Sequence, residues 1–383
     1  MDSFSNTERT LLALIKSSLF NIPFENIQET DWDELYQEAK AQTVTALIAG
    51  CVPEEAGPKW KIAYTANLSK NLRYLHAQSE LIDIFRENNI PLVILKGASA
   101  AVYYPVPVNR AMGDIDFIVP QDLYEDACTL MVQNGYTIEK ETPLNTRHKG
   151  YVKGKFSYEL HHHFSYDDLD IEQHIIDGLR HVEYGRIDRI EFPMLPKLAN
   201  GLVLLAHLQF HLKSGLGLRQ VVDWMMYVNK ELEDSFWESE FRVAASKVGM
   251  EKLAITVTRM CQLYLGLSER ITWCQGADEN LCLSMIEDLL SYGNFGRKHG
   301  KGIVFERTAA IIHKKGLFGY LQQAEEIKFP LYHRHKWLKP FFWIYQVFYL
   351  LSRSLKMKRG TRVLSNLKQR SKKNDLLKKL DIL

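Results

Sequence analysis

Long apolar runs are missing from this 383-residue chain. No stretch reaches the ~20 uninterrupted apolar residues of a bilayer-spanning helix, which excludes that architecture by the usual criterion. Cysteine is sparse: Cys51, Cys128, Cys261, Cys274 and Cys282 are scattered, with no Cys-x-x-Cys. That argues against a thiolate metal ribbon or a disulfide scaffold, and the five are expected to be reduced, buried thiols. No charge of one sign dominates, because 48 Lys and Arg face 46 Asp and Glu. Internal repeats and low-complexity blocks are lacking too. The opening residues, Met1 to Asn6, have neither the basic nor the apolar region of a signal peptide, so a cytoplasmic location is expected. What remains is an ordinary globular composition, 46% hydrophobic and 25% charged, at a length that suits two domains and a tail.

Against that background the segment Asp114-Ile115-Asp116-Phe117-Ile118-Val119-Pro120 stands out. The apolar run stopped by proline reads as a buried strand. Alternation along a strand puts Asp114 and Asp116 on one side, ~7 Å apart. Two carboxylates pointing together out of an apolar strand call for a positive partner, because an unpaired buried charge is costly. Carboxylate oxygens suit Mg²⁺ (or Mn²⁺), which commonly completes its shell with water and substrate phosphates. Neutralising either Asp is expected to leave the fold intact and to relieve their mutual repulsion.

A second short strand, 91–95, ends in Lys96-Gly97-Ala98-Ser99, where a helix over 98–103 is expected. A glycine turn entering a helix presents backbone N–H groups suited to phosphate, with Lys96 adding charge and Ser99 a hydroxyl. Arg110, four residues before Asp114, reads as a surface charge or as a contact to phosphate or to the acidic cluster. Downstream, Arg147 to Val152 and Lys155 to His162 form a hairpin around Lys153-Gly154. On its second strand Ser157, Glu159 and His161 share a face. Glu159 is then a third metal ligand or a partner for Lys155. His161 contacts phosphate or orients a carboxylate. The triplet His161-His162-His163 cannot converge on one zinc ion, since neighbours on a strand point apart. Asp167, Asp168 and Asp170 sit in a polar run expected to face water.

Helices are expected over 7–19, 30–43, 67–88 and 122–133, a strand over 136–140, and an uninterrupted helical series from Pro196: 197–213, 218–231, 235–248, 250–266 and 279–291. On helix 67–88, Leu68, Leu72, Leu75, Leu81, Ile84 and Phe85 are spaced for one face. His207 and His211 stand at i, i+4 and face a cleft or pack between helices. Arg219 and Asp223 repeat that spacing, as a helix ion pair or as cleft residues. The architecture is α+β: helices over 1–66, a catalytic sheet domain over 67–195, a helical bundle over 196–328, and a tail over 329–383.

Leu95-Lys96-Gly97, Tyr104-Pro105, Arg110-x-x-Gly113-Asp114-x-Asp116, Glu159-x-His161, and His207, His211, Arg219 and Asp223 together resemble the bacterial "uncharacterised nucleotidyltransferase" family. That family lies within the superfamily of DNA polymerase beta, CCA-adding enzymes and kanamycin nucleotidyltransferase. The resemblance covers about 70 to 230. It departs from the superfamily in opening Gly97-Ala98-Ser99, in a longer run to the first Asp, and in Glu rather than Asp at 159. It implies a polymerase-beta-like sheet and a metal-dependent transfer of NMP from an NTP, expected to be ATP, to a hydroxyl acceptor with loss of pyrophosphate. Asp114, Asp116 and Glu159 become metal ligands. Lys96, Gly97, Ser99, Arg110, His161, Arg219 and Asp223 become donor-binding residues.

The acceptor stays open between a small molecule and a protein side chain, with RNA, as in a tRNA-modifying enzyme, a weaker choice. A different class is a non-catalytic nucleotide-binding adaptor on a membrane glycan assembly. From Phe329 onward fourteen Lys and Arg face two acids, behind an aromatic run over 337–351. That tail suits a core helix with a solvated basic end, peripheral membrane contact, or a grip on nucleic acid.

Overall fold

The computed structural model describes residues 4–24, 30–139, 147–164 and 171–294, and the shorter pieces 298, 341, 343–345, 348 and 371–382. Four helices precede the sheet: α1 (Asn6–Phe20), α2 (Trp32–Gln42), α3 (Thr45–Ile48) and the long α4 (Lys59–Glu87). Ser5 and Glu8 form a reciprocal capping box at the start of α1, and Asp31 caps α2 through the N–H groups of Asp33 and Glu34.

α4 begins well before the apolar pattern suggests, and its inward face keeps Leu75, Leu81 and Phe85 of the expected stripe but not Leu72. Leu72 is 48% exposed, whereas Asn71, Tyr74, Leu75, Gln78, Leu81 and Phe85 are buried. Two amides on the inward stripe break the hydrophobic period, which is why the helix face could not be read from leucines alone.

Seven strands form one mixed sheet: β1 (Val93–Leu95), β2 (Ile115–Ile118), β3 (Thr137–Ile138), β4 (His148–Lys153), β5 (Phe156–His161), β6 (Glu183–Ile187) and β7 (Ile190–Met194). Their order across the sheet is β3-β4-β5-β2-β1-β7-β6. The expected acidic strand and hairpin are present, with Gly154 at φ +63° in the turn. β2 lies between antiparallel β1 and parallel β5, and register places Asp116 between Leu95 and Glu159.

The hairpin β6–β7 was not expected. Its turn passes through Asp188 at φ +53°. Gly185 and Pro193 both discourage a strand reading, yet a Cβ on Gly185 would come within 2.9 Å of the Phe192 ring. Close packing therefore selects glycine there.

Short α5 (Gly97–Ala101) follows β1, α6 (Tyr124–Gln133) follows β2, and α7 (Glu172–Arg180) precedes β6. Then come α8 (Lys197–Ser214), α9 (Leu218–Glu231) and further helices including Glu251–Leu265 and Glu279–Tyr292. One continuous apolar core joins the sheet, these helices and the chain's last described residues. The helix 371–379 packs inward through Leu376, Leu377 and Leu380, and Lys373 pairs with Asp288 at 3.2 Å. The described segment 371–382 is thus docked on the core through its apolar side. Most of the aromatic run 337–351 and the acids at 167, 168 and 170 lie outside the described residues. Among the described residues no helix is long and apolar enough to cross a membrane. The five cysteines are free thiols, and all but Cys51 are buried.

Candidate active site

β2 delivers the two carboxylates differently. Asp116 lies inside the strand and is 3% exposed, while Asp114 stands just before it, an exposed residue whose carboxyl is nonetheless partly shielded from water. Glu159 projects from the paired position on β5, half-buried. Ligand oxygens of Asp114, Asp116 and Glu159 all lie within 4.8 Å of one another. Three acidic side chains cannot stay that close without a cation or protons between them.

The basic groups around Asp116 are equally close. Lys96 Nζ lies 2.5 Å from Asp116 Oδ1 and the His161 Nε2 is 2.9 Å from the same oxygen. Burial by itself would raise the Asp116 pKa, but the Lys96 ammonium and the His161 hydrogen bond outweigh it and hold this carboxylate well below its ordinary range. The opposite holds for its neighbours. The charge of Asp116, followed by burial, raises Asp114. Burial, reinforced by Asp116, pushes Glu159 up to about 9. One carboxylate is thus firmly ionised, Glu159 beside it favours a proton until positive charge arrives, and Asp114 is shifted in the same direction as Glu159.

Imidazoles form the far side. His148, directly opposite His161 on β4, has Nε2 3.3 Å from Glu159 Oε1, and burial lowers its pKa to about 4. His148, Glu159 and His161 also converge within 4.8 Å. His161, however, presents Nε2 to Asp116, while its buried Nδ1 has no hydrogen-bond partner. A metal on Nε2 would force the proton onto that unpartnered Nδ1, so the all-carboxylate set is the better cation site. His211 Nε2 contacts His207 Nε2 at 2.9 Å on α8. Burial, then His211, drives His207 well below its ordinary pKa, with Lys96 and Asp116 also within electrostatic reach.

Lys96 adopts φ +50°, ψ −133°, a backbone region that L residues avoid, and Gly97 follows at φ +32°. Such strain persists only where surrounding structure enforces it. Ser99, expected on the phosphate, is fully buried: its hydroxyl donates to the Lys96 carbonyl at 2.8 Å and lies 3.4 Å from Asn200 Oδ1. It shapes the turn from within. Asn200, invisible to motif reading, donates to the Ser99 carbonyl at 3.2 Å and to the Tyr103 hydroxyl at 2.8 Å, tying α5 to α8.

Arg110 and Asp223 are both buried and joined by two parallel bonds of 2.7 Å, Nε to Oδ1 and Nη2 to Oδ2. The Tyr104 hydroxyl adds a third at 2.7 Å. Asp223 thus has in Arg110 a partner 113 residues away, beyond the neighbour one turn earlier that the sequence suggests. Planar guanidinium and carboxylate meet edge to edge, so that two parallel N–H···O bonds form at once. Arg219 lies with Nη1 3.4 Å from the Ala111 carbonyl, and burial, then the Arg110 charge, lowers its pKa. Sequence motifs thus fall into two connected groups: Lys96, Asp114, Asp116, Glu159 and His161 at the carboxylate centre, and Arg110, Tyr104, Arg219 and Asp223 beneath the loop that leads to it.

No curated protein and no solved structure matches the chain. A family model described as "Uncharacterised nucleotidyltransferase" matches residues 28–266, wider at both ends than the stretch that carries the motifs. With more than half its length covered by that model, the chain belongs to the uncharacterised nucleotidyltransferase family.

Proposed function

We propose that the protein transfers NMP from an NTP, with ATP the first donor to test, to a hydroxyl on a small molecule or protein side chain, releasing pyrophosphate. The observation that carries this reading is the convergence of Asp114, Asp116 and Glu159 beside Lys96. The donor set is all-oxygen, and crowding raises the proton affinity of Asp114 and Glu159 when no cation is present, which fits Mg²⁺ or Mn²⁺. Asp114, Asp116 and Glu159 would hold it. Bound there, a divalent ion would neutralise charge on the phosphates during in-line displacement.

The side chains have separable tasks. His161 donates to Asp116 and fixes its orientation. Lys96, on the strained turn with Gly97, supplies the positive charge for the departing phosphates, aided by Arg219. Glu159, ionised once the cation is bound, would receive the acceptor's hydroxyl proton. Arg110 and Asp223 hold the loop rather than the donor.

Incubation with each α-labelled NTP, Mg²⁺ and cell extract tests the reading. Label should enter one acceptor fraction with the wild type and none with Asp116→Asn. Equal labelling by both would refute it.

A further inference from the structure

The segment 108–112 carries the chain from Arg110 towards the carboxylates, and α4 grips it along its length. Asn71 is fully buried on α4. Its Nδ2 donates to the Val108 carbonyl at 2.8 Å and the Arg110 carbonyl at 2.7 Å, and its Oδ1 accepts the Met112 N–H at 3.1 Å. One amide therefore matches three backbone groups of a five-residue loop, using both donors and its acceptor. Lys70 Nζ adds a bond to the Met112 carbonyl at 2.7 Å, and Asn67 Nδ2 one to the Val108 carbonyl at 3.2 Å. From the other side α9 holds the same loop through Asp223 on Arg110 and Arg219 on the Ala111 carbonyl.

Met112 is two residues from Asp114, so any slack in the loop is passed to that carboxylate. Asp114 itself sits outside the ladder of β2 and has no strand pairing to fix it. We infer that Asn71, seconded by Lys70, is a positioning residue that sets where Asp114 stands relative to Asp116 and Glu159, and hence how tightly the centre holds a divalent cation. The inference rests on the proposed cation site, and deepens it by naming a residue that acts through the loop.

Mn²⁺ binding to the full-length protein, followed by loss of the free-ion electron paramagnetic resonance signal, separates the possibilities without a known acceptor. Asn71→Ala should weaken Mn²⁺ binding roughly tenfold, the scale on which supporting partners of metal ligands act. Lys70→Met, an exposed position that leaves folding undisturbed, should weaken it in the same direction by less. Gln262→Ala is the control: that buried amide likewise grips two loop carbonyls, of Ser268 at 3.0 Å and Ile271 at 2.8 Å, in a different part of the chain. It should lower the melting temperature and leave Mn²⁺ affinity unchanged. Folded Asn71→Ala or Lys70→Met with wild-type Mn²⁺ affinity would overturn the positioning role while leaving the proposed function standing. A wild type that binds no Mn²⁺, with or without ATP, would overturn both.

Discussion

Asn in place of Asp114 or of Asp116 removes one charge and almost no volume, yet the two changes should move stability in opposite directions. Asp116 is buried, with Lys96 at 2.5 Å and His161 at 2.9 Å on the same oxygen. Asp116→Asn strips the counter-charge from a buried ammonium, a loss of about 3–5 kcal/mol when one partner of a buried pair is removed. Asp114 is solvent-exposed, and its most influential neighbour is the like charge of Asp116. Asp114→Asn relieves that repulsion and should leave the cation-free protein unchanged or stabilised by no more than about 1 kcal/mol, the scale of solvent-screened pairs. Simple repulsion between the two carboxylates had suggested relief in both cases; the Lys96 and His161 contacts reverse it for Asp116. Urea unfolding in EDTA measures both values. Thermal shift on adding Mn²⁺ then completes the assay, since the wild type should gain stability by ligand linkage and both variants should not. An Asp116→Asn protein as stable as wild type in EDTA would refute the buried pairing. A full Mn²⁺ shift in either variant would refute the cation site.

Three further outcomes are expected. Lys96→Ala should weaken NTP binding by about 1.5–3 kcal/mol, the worth of a charge-assisted contact, and NMP binding far less; equal losses for ATP and AMP by calorimetry would remove Lys96 from the phosphates. Glu159 is held at about 9 in the folded protein against an ordinary 4.5, so its neutral form favours folding. That contribution is complete below pH 4.5 and is lost as pH rises towards 9; in EDTA, Glu159→Gln should flatten the fall in stability across this window, and an unchanged slope would contradict the shift. Ending the chain at 370 should uncover the packing surface of Leu376, Leu377 and Leu380, each worth roughly 1.5–3 kcal/mol, and break the Lys373–Asp288 pair, giving a lower melting temperature; an unaltered melt would make the C-terminal helix dispensable.

Legibility divides along the range of the forces involved. Asn134-Gly135 closing α6 and Lys153-Gly154 turning the hairpin follow from backbone preferences within a few residues, and the structure has both; the acidic strand is there too, but it begins at Ile115, so Asp116 lies on it and Asp114 one residue before it. The β6–β7 hairpin did not follow, because Gly185 and Pro193 are chosen by contacts with Phe192 and by the sheet's shape, not by strand preference. Ser99 looked like a phosphate ligand because serine after a glycine turn commonly is one; the buried Asn200 behind it, 101 residues on, explains its hydroxyl instead. Sequence could place Glu159 and His161 on one face, but only the parallel register of β5 against β2 sets Asp116 beside Glu159 and within reach of His161.

Asn71 shows what kind of residue such reading misses. A polar side chain on the inward face of an amphipathic helix looks like a flaw in the pattern, and a search for the apolar stripe shifts that face towards Leu72 to avoid it. A fully buried amide is tolerated only if its donors and acceptor are matched, and a loop of unpaired carbonyls and N–H groups is the natural match. The loop for which Asn71 is suited is the one that ends at Asp114. A break in hydrophobic period within a long helix is then a positive signal, pointing to a backbone segment that must be held still. In this chain the segment held is the approach to the carboxylate centre, so the irregularity of α4 and the geometry of the site have one cause.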